Sequence, residues 1–391
     1  MVNPPAECDL AVVGGGILGL AVARELTRRR PELSATVFEH AAQPAGGQTG
    51  HNSGVIHAGI YYAPGSLKAR LCVAGAREMY EFCERSGIRH ERCGKLIVAR
   101  DSREMAALDE LERRGRENGV PGLRRLSRDE IREVEPHCVG AAALHSPATG
   151  IVDFADVARA LAGELESHGT PVVTSCGVRG VAERSGRLGL EHPRGETRAR
   201  FAVFCAGAAS DRLAVMAGAS PDPRIVPFRG AYLYLAPQKR SLVRGMIYPV
   251  PDPSLPFLGV HLTRHIDGNV SLGPTALLAP RGLRELTWPG TWRMAGRWWR
   301  TGATEIRHAV SRRALAAAAA EYVPELSSGD FASGFAGVRA QAVRRDGTLV
   351  DDFVLSQTPH ALHVRNAPCP AATSSLALAR MIADRAEPGL A

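Results

Sequence analysis

No run of apolar residues in this 391-residue sequence reaches the roughly 18 residues that a membrane-spanning helix needs, so no spanning helix is expected. The N-terminus, MVNPP, has neither the basic region nor the apolar segment of a signal peptide, so we expect no export signal. Hydrophobic residues nevertheless make up 45% of the chain, which excludes an intrinsically disordered protein. The length is sufficient for a large core and favours two or three domains.

The sequence also lacks closely spaced cysteines. Its eight cysteines are scattered, and no two of them stand in C-x-x-C spacing, so zinc, iron–sulfur and dithiol redox sites are not indicated. We therefore expect no metal, reduced thiols and a cytoplasmic location.

A basic tail is absent too, although the formal net charge is +8. The excess comes from arginines spread along the chain without an aromatic-rich basic patch, so no nucleic-acid partner is expected. We favour the interpretation that the positive charge reflects a general preference for arginine in the source proteome. Contact with an anionic membrane or an acidic substrate stays open.

The strongest positive signal is an apolar run that ends in glycines, DLAVVGGGILG, which begins at Asp9 and contains the spacing Gly14-x-Gly16-x-x-Gly19. A helical pattern follows, and then a short apolar strand that ends in Glu39. In such a unit the first glycine permits a tight turn, the second lets the backbone approach a pyrophosphate, and the third lets the helix pack on the sheet. The helix N-terminus offers N–H groups to phosphates. Glu39 is placed to hydrogen-bond a ribose hydroxyl, which favours FAD or NAD over NADP.

A second unusual stretch, QTGHNSGVIHAGIYY, occupies residues 48–62. With two histidines, two tyrosines and three glycines, it is too polar for a core strand and too apolar for a solvent loop. This density, so soon after a dinucleotide motif, favours a backbone laid against a ligand over a buried loop with satisfied histidines.

The stretch at 48–62 resembles the signature of the L-2-hydroxyglutarate oxidases and dehydrogenases, in the superfamily of FAD-dependent amine and hydroxy-acid oxidoreductases that includes D-amino-acid oxidase. The resemblance continues in order along nearly the whole chain, through PGSLK, TGIVDF, PFRG, PFLGVHLT, GVRAQ and NAPCPAATSS. It implies FAD as the cofactor. The cofactor-binding positions that the motif and the resemblance imply are Gly14, Gly16, Ile17, Gly19, Glu39, Thr49, His51, Asn52, Ser53, Gly54, Val178, Ala206, Gly207, Gly337, Ala371, Ala372, Thr373 and Ser374.

These patterns and the resemblance predict an α/β fold, in which a Rossmann-like FAD-binding domain is interleaved with an α+β substrate domain built on an antiparallel sheet. The expected FAD-binding domain comprises residues 1–84, 148–222 and 332–391, and the substrate domain comprises residues 85–147 and 223–331. A strand is expected at Phe257–Leu262, and a helix at Ala371–Ile382.

Oxidation of a 2-hydroxy acid requires a cation for the carboxylate and a base for the hydroxyl proton. Arg339 is the preferred carboxylate ligand, since arginine binds carboxylates in a fork and the Gly-x-Arg of the superfamily faces the substrate. His261, a polar residue within the apolar FLGVHLT, is favoured as the base, and its position resembles that of the base proposed in glycerol-phosphate relatives. His57 is the alternative base. A histidine base with an ordinary pKa would make flavin reduction faster as the pH rises through 6 to 7.

Tyr61 and Tyr62 are expected to line the pocket, and Arg229 is a weaker candidate for the distal carboxylate of a small dicarboxylate substrate. The expected activity is oxidation of L-2-hydroxyglutarate to 2-oxoglutarate by hydride transfer to flavin, with oxygen or a quinone as the electron acceptor. Ala231 stands where the family usually has glutamate, so a flavin oxidase acting on another 2-hydroxy acid, an amino acid or an amine is the alternative. A non-catalytic flavoprotein is disfavoured by the two histidines and the arginine.

The segment 288–313 holds all four tryptophans and is rich in arginine, with a single acidic residue, Glu305. Such a basic, tryptophan-bearing helical pattern suits peripheral contact with the inner face of a membrane. We favour the alternative, in which two helices pack over the sheet and expose an arginine-rich face to solvent.

Overall fold

The chain folds around two large β-sheets with helices packed against them. A computed structural model of the protein describes residues 2–252, 258–280 and 282–390. The strands, in chain order, are β1 (Glu7–Val13), β2 (Ala35–Phe38), β3 (Val55–Ile56), β4 (His90–Glu91), β5 (Lys95–Ala99), β6 (Arg124–Ser127), β7 (Ala142–Ser146), β8 (Gly150–Val152), β9 (Val172–Val173), β10 (Gly180–Arg184), β11 (Arg187–His192), β12 (Gly195–Phe204), β13 (Arg224–Leu235), β14 (Met246–Pro249), β15 (His261–Arg264), β16 (Val270–Gly273), β17 (Leu277–Leu278), β18 (Phe331–Val343), β19 (Val354–Thr358) and β20 (Ala361–Asn366). The helices are α1 (Ile17–Arg29), α2 (Leu67–Arg85), α3 (Met105–Glu117), α4 (Arg128–Val134), α5 (Phe154–Ser167), α6 (Ser210–Met216), α7 (Leu283–Leu286), α8 (Pro289–Arg297), α9 (Trp299–Val310), α10 (Arg312–Ala320) and α11 (Ser375–Ala386).

The first sheet is parallel at its centre, where β20, β12, β1, β2 and β9 pair in that order. Leu10, Val12 and Val37 of the central strands are fully buried, as expected for a parallel sheet covered on both faces. Helices α1, α2, α5 and α11 pack on one face. The hairpin β10–β11 and helix α6 contribute to the apolar cluster on the other face. The predicted Rossmann-like unit is therefore confirmed.

The second sheet has the order β17–β13–β16–β15–β14–β5–β7–β6, with β18 paired to the other side of β13. Its pairs are antiparallel except for β14 and β5. Strands β13 and β18 pair along most of their length and place Phe228 opposite Arg339. The predicted α/β fold with an antiparallel second sheet is confirmed. Strands β3, β8 and β4 form a small third sheet, with β8 in the middle and both pairs antiparallel.

Three local expectations need revision. Helix α11 begins at Ser375 and not at Ala371, because the N–H of Ser374 donates to the carbonyl oxygen of Pro370 within a preceding turn. The expected strand at 257–262 starts only at His261 among the described residues, and Phe257 lies outside them. Strand β18 belongs to the second sheet, so the expected boundary at residue 332 cuts through a strand. The domain division otherwise stays a prediction.

Within the described ranges, no helix is long and apolar enough to cross a membrane. In the same part of the chain, no group of three or more histidine, cysteine, aspartate or glutamate side chains is placed to hold a metal ion.

Candidate active site

The glycine-rich turn between β1 and α1 is closed by backbone contacts that leave no room for side chains. Gly14 has a left-handed φ of 120°, and a Cβ atom there would lie 2.3 Å from the carbonyl oxygen of Cys205. A Cβ atom on Gly19 would lie 1.9 Å from the carbonyl oxygen of Gly14. Both positions therefore require glycine, because α1 packs directly on the turn and on the end of β12.

Gly16 differs, because its missing side chain leaves open space. A Cβ atom there would approach only the Oγ1 atom of Thr49, at 3.2 Å. That hydroxyl accepts a hydrogen bond of 3.1 Å from the backbone N–H of Ile17, the first residue of α1. The open side of Gly16 thus borders the N-terminus of a 13-residue helix, where N–H groups and the helix dipole favour a phosphate.

Glu39 lies beside this turn, just after β2, and is buried. Its carboxylate accepts hydrogen bonds from the backbone N–H groups of Gly15 at 2.6 Å and Ala41 at 2.7 Å. The Oε1 atom, which accepts from Ala41, also lies 2.7 Å from the Nδ1 atom of His40. Among the described residues, the Oε2 atom accepts only from Gly15 and can take a second hydrogen bond. Glu39 can therefore hold the turn and still receive a ribose hydroxyl at Oε2, and that role stays a prediction.

The loop at 48–54 is held in shape by its own polar side chains. Asn52 donates to the carbonyl oxygen of Thr49 at 2.6 Å and accepts from the N–H of Gly54 at 2.8 Å. The Nδ1 atom of the exposed His51 lies 2.9 Å from the carbonyl oxygen of Gly47 and must donate to it. Asn52 and His51 shape the loop, and their contact with a cofactor stays a prediction.

Gln48, which was not predicted, fastens this loop to the second sheet. Its Oε1 atom accepts a hydrogen bond of 2.9 Å from the N–H of Ala340 in β18. Gly337 packs so closely on the loop that a Cβ atom there would lie 2.3 Å from the carbonyl oxygen of His51. The loop is thereby fixed next to the strand that carries Arg339.

Three more predicted positions lie near the end of β12 or pack against it. Val178 is buried in the apolar cluster of β1 and β12. Ala206 and Gly207 follow β12 closely, after Cys205, whose N–H donates to the carbonyl oxygen of Val13 at 2.8 Å. Because β12 and β1 run parallel, Ala206 and Gly207 meet the glycine-rich turn at the carboxyl edge of the sheet, where α/β sheets bind ligands.

The turn before α11 presents polar groups that lack partners. The N–H groups of Ala372 and Thr373 have no acceptor among the described residues. The hydroxyls of Ser374 and Ser375 also lack partners there, but both residues are fully buried, so these hydroxyls do not border open space. Buried polar groups are rarely left unpaired in proteins. The N–H groups at the start of this turn are therefore the groups that a ligand could pair.

These segments together fit a flavin dinucleotide. The structure links four separate parts of the chain that the sequence assigned to the cofactor, namely Gly14–Gly19, Thr49–Gly54, Ala206–Gly207 and Ala371–Ser374. They offer an open helix N-terminus for the pyrophosphate, a carboxylate for the ribose, and unpaired N–H groups before α11.

His57 lies past this loop, next to a cysteine. Its Nε2 atom is 3.3 Å from the Sγ atom of Cys369, and the hydroxyl of Tyr62 is 3.9 Å from the same sulfur. Cys369 is exposed as a residue, but the desolvation of its sulfur among neighbouring atoms raises the pKa of the thiol. The neighbouring His57 and Arg339 outweigh this effect and lower that pKa to about 6. The N–H of His57 donates to Thr373 at 3.1 Å. His57 is therefore anchored to the turn before α11, and its Nε2 is already in contact with sulfur.

His261 begins β15, is 8% exposed, and stacks on the ring of Tyr248 at a centroid distance of 4.0 Å. Its Nδ1 atom lies 2.8 Å from the carbonyl oxygen of Gly259. A carbonyl can only accept, so Nδ1 carries the hydrogen and Nε2 keeps its lone pair. Burial, with the positive charges of Arg339 and Lys95, lowers the pKa of His261 to about 3. The ring is neutral at physiological pH and has the tautomer of a general base, but it will not titrate near pH 6 to 7 as predicted.

Arg339 projects from β18 and has no carboxylate partner among the described residues. Its charge lowers the pKa of Tyr232, although burial raises that pKa overall. Arg229 is exposed and pairs across the ladder with Val338, so its side chain lies on the opposite face of the sheet from Arg339. The structure therefore does not bring Arg229 to the site, because consecutive residues of a strand alternate between faces.

The loop that carries Tyr61 and Tyr62 is anchored by Asn118, directly after α3. The side-chain amide of Asn118 donates to the carbonyl oxygens of Gly59 and Tyr62, both at 2.9 Å. The Tyr61 hydroxyl is buried without a partner in the described part of the chain. The ring of Tyr61 lies 4.6 Å from the Nζ atom of Lys95. Both tyrosines thus border the region of His261 and Cys369.

Four residues of this region were not predicted as site residues: Lys95, Tyr232, Tyr248 and Cys369. A lysine at the start of the apolar run KLIVA was an available signal, because a charge inside a buried strand requires a reason. The two tyrosines gave no signal, since aromatic residues are ordinary in strands.

Comparison with known proteins agrees with this geometry. The family model described as FAD dependent oxidoreductase (DAO) matches residues 9–385. The chain is 46% identical to the human protein named L-2-hydroxyglutarate dehydrogenase, mitochondrial, over 97% of this chain and 88% of that one. It is 45% identical to a protein of the same name from Nematostella vectensis, over 98% and 91%. It is 40% identical to L-2-hydroxyglutarate dehydrogenase from Indibacter alkaliphilus, over 95% and 97%.

Solved structures share the fold at lower identity. An L-alpha-glycerophosphate oxidase from Mycoplasma pneumoniae with FAD bound has a TM-score of 0.80 at 23% identity, covering 97% of this chain and 94% of that one. A glycine oxidase from Geobacillus kaustophilus has a TM-score of 0.71 at 21% identity, covering 98% and 95%. The family match over nearly the whole chain, on a Rossmann-like fold that brings together the four segments predicted to bind the cofactor, shows that this protein belongs to the DAO family of FAD-dependent oxidoreductases.

Proposed function

We propose that this enzyme oxidises L-2-hydroxyglutarate to 2-oxoglutarate with FAD. The observation that carries the proposal is the 40–46% identity, over at least 95% of the chain, to proteins named L-2-hydroxyglutarate dehydrogenase. The candidate site supports it, because it combines a neutral histidine of suitable tautomer with an arginine that no carboxylate neutralises in the described residues.

In this mechanism Arg339 holds the carboxylate next to the hydroxyl group through a two-pronged hydrogen bond. The Nε2 atom of His261 accepts the hydroxyl proton, and the hydrogen bond from Nδ1 to Gly259 stabilises the ring as it becomes charged. FAD, when bound, supplies the acceptor for the hydride that leaves C2. The rings of Tyr232 and Tyr248, both buried, limit the access of water to these groups.

His57 is the alternative base. Its Nε2 atom is in contact with Cys369 at 3.3 Å, whereas the Nε2 atom of His261 has no hydrogen-bond partner among the described residues. The Nδ1 atom of His57 is also without a partner among the described residues. Of the two, however, only His261 has its tautomer fixed by a backbone carbonyl, with the lone pair on Nε2, and this difference supports His261 as the base.

Anaerobic titration of the FAD-loaded protein tests the proposal. L-2-hydroxyglutarate should bleach the flavin absorbance, and the D-enantiomer should not. An oxidised spectrum with L-2-hydroxyglutarate, but bleaching by another 2-hydroxy acid, an amino acid or an amine, would keep the fold and replace the substrate. Ala231 is the observation that favours such a replacement, since the family usually has glutamate there. Reoxidation by oxygen or by a soluble quinone then distinguishes the two electron acceptors.

We also propose a cytoplasmic enzyme that touches the inner face of a membrane through helices α8 and α9. Trp292 and Trp299 are 62% and 63% exposed, and Val310 is 79% exposed, among exposed arginines. Trp288 is buried instead, and its indole N–H donates to a carbonyl oxygen of β18, as in the alternative of helices packed over the sheet. Packing over the sheet does not explain why Trp292 and Trp299 are exposed. An anionic lipid surface would contact both the exposed tryptophans and the arginines around them.

A further inference from the structure

Lys95 is a buried cation without an anion. It is 2% exposed at the first position of β5, and no carboxylate pairs with it among the described residues. Lys68 shows the ordinary arrangement in the same molecule: it is 6% exposed, and its Nζ atom lies 2.8 Å from a carboxylate oxygen of Asp351. Burial of an unpaired ammonium is unfavourable, so the position of Lys95 requires an explanation.

The surroundings of Lys95 are aromatic rings and thiols. Its Nζ atom lies 4.6 Å from the ring centroid of Tyr61 and 4.9 Å from that of Tyr248. Such rings attract a cation and offset part of the lost hydration. They are neutral, however, so they leave the positive charge available to an incoming anion. Burial lowers the pKa of Lys95 to about 8, with Cys369 and Cys72 acting in the opposite direction, so most of the side chain remains charged at pH 7.

The strand order places Lys95 and Arg339 on opposite sides of His261. His261 is on β15, Arg339 on β18 beyond β16 and β13, and Lys95 on β5 beyond β14. Both cations lie near enough to lower the pKa of His261. Tyr248 lies between His261 and Lys95, because its ring stacks on His261 and borders the Nζ atom of Lys95. A substrate whose hydroxyl meets His261 therefore has one fixed cation toward each end.

We propose that Lys95 binds the distal carboxylate of the substrate and selects dicarboxylates over monocarboxylates. This inference rests on the proposed function, in which Arg339 holds the carboxylate next to the hydroxyl group. A dicarboxylate supplies the missing counter-ion of Lys95. A monocarboxylic acid of the same length would place a methyl group against a buried ammonium, which is unfavourable. Lys95 replaces Arg229 in this role.

The test compares two substrates that differ only at the distal end, L-2-hydroxyglutarate and L-2-hydroxypentanoate, in the FAD-loaded enzyme. For Lys95→Met, we expect kcat/KM for L-2-hydroxyglutarate to fall roughly 100-fold and kcat/KM for L-2-hydroxypentanoate to change by less than about threefold. Lys95→Arg should retain part of the preference for the dicarboxylate. Lys68→Met is the matched control: it removes a buried lysine that lies 5.5 Å from the ring centroid of Tyr62 but whose charge is already paired with Asp351, and it should change both substrates by the same factor.

An equilibrium measurement separates binding from chemistry. Glutarate, which has both carboxylates but no hydroxyl, should perturb the spectrum of the oxidised wild-type flavin, and Lys95→Met should weaken its binding roughly 100-fold, with binding of pentanoate unchanged. An equal loss for glutarate and pentanoate, or no loss for either, would overturn the role of Lys95. If wild-type enzyme binds glutarate through Lys95 but L-2-hydroxyglutarate does not bleach the flavin, the proposed function fails and the carboxylate site stands.

Discussion

At the scale of single residues, the candidate site depends on which polar groups are left without partners. His261 donates through Nδ1 and keeps Nε2 free, whereas Nε2 of His57 is in contact with sulfur. Arg339 lacks a carboxylate among the described residues. An unpaired nitrogen of a buried residue, such as Nε2 of His261, is costly in a finished fold, and a bound substrate removes the cost by supplying the partner. Arg339 is exposed, so water hydrates its charge until a carboxylate arrives.

Arg339→Lys should be far from conservative. A lysine keeps the charge but replaces a planar fork, which matches a carboxylate, with a single point donor. We expect kcat/KM for L-2-hydroxyglutarate to fall on the order of 100-fold, equal to roughly 3 kcal/mol of transition-state stabilisation. Steady-state kinetics with a check of bound FAD measures this. Arg229→Lys is the control on the opposite face of the same sheet region, and a similar loss there would contradict the assignment.

His261→Ala should slow flavin reduction by about 100- to 10,000-fold, the range for loss of a positioned base. Because the pKa of His261 is about 3, its neutral form dominates above that pH, and the wild-type reduction rate should stay flat from pH 5 to 8 as far as this residue is concerned. Rapid-mixing measurements of flavin reduction across this pH range check both points. If His57→Ala abolishes reduction and His261→Ala does not, the two histidines have exchanged roles.

At the scale of secondary-structure elements, the glycine-rich turn and helix α1 form one unit with the ends of β1, β2 and β12. Gly14 and Gly19 allow the backbone of this unit to pack closely, whereas Gly16 keeps the space beside the helix N-terminus open. The glycines of one sequence motif therefore meet two different physical requirements, close backbone contact and open space for a ligand.

Gly16→Val should abolish retention of FAD while the fold persists. The valine side chain would occupy the open side of the helix N-terminus, where only Thr49 lies within reach. The flavin-to-protein absorbance ratio after purification measures retention, and far-ultraviolet circular dichroism monitors the fold. Gly163→Val is the matched control, because a Cβ atom at Gly163 in α5 meets nothing within 4 Å. Normal flavin content in Gly16→Val would place the pyrophosphate elsewhere.

Helices α8 and α9 carry the proposed membrane contact. Replacing Trp292 and Trp299 together with serine should weaken sedimentation with phosphatidylglycerol vesicles on the order of 10-fold, because both apolar and electrostatic attraction contribute. Phosphatidylcholine vesicles test the charge term. Replacing Val215 and Met216, which are exposed on α6, with serine is the control. Equal binding by both double variants would remove the tryptophans from the contact.

At the scale of the whole molecule, burial of histidines links stability to pH. Burial is the main cause that lowers the pKa of His145, His192, His261, His265 and His363. Their unfolded pKa is about 6.5, so between that value and the folded pKa the unfolded chain binds protons that the folded protein does not. The contribution of these histidines to stability is therefore fully present above about pH 6.5, and it is lost as the pH falls toward their pKa values in the folded protein.

The melting temperature of the FAD-loaded protein should accordingly fall between pH 7.5 and pH 4.5. His363, buried and with a pKa lowered to about 4, contributes about 3 kcal/mol to this loss, at roughly 1.4 kcal/mol for each pKa unit. Differential scanning fluorimetry across the pH range measures the slope. His363→Gln should flatten it, whereas substitution of the exposed His168 should not. A melting temperature independent of pH in both proteins would contradict the linkage.

The nucleotide-binding part of the fold could be predicted because its information is local. The glycines of the turn, the apolar strand before it, the helix after it and the acid at position 39 are close in sequence, and each has one physical role. The order of motifs along the chain then identified FAD and the family, as the comparisons confirmed, and it led to the activity proposed above. Hydrophobic periodicity also predicted the last helix, although α11 begins four residues later than expected because a turn at Pro370 precedes it.

Only the tertiary structure decided which side chains face each other. Arg229 and Arg339 are equally basic in sequence, but the register of β13 and β18 places them on opposite faces of the sheet. The lysine in the apolar run KLIVA is unusual in the sequence, but only the order of strands brings Lys95 to the site of His261, 166 positions away in the chain. Burial of His261 in the folded protein lowers its pKa to about 3, and the residue type alone does not indicate this shift. Sequence determines local geometry and chemical identity, whereas register, strand order and burial depend on contacts between distant residues.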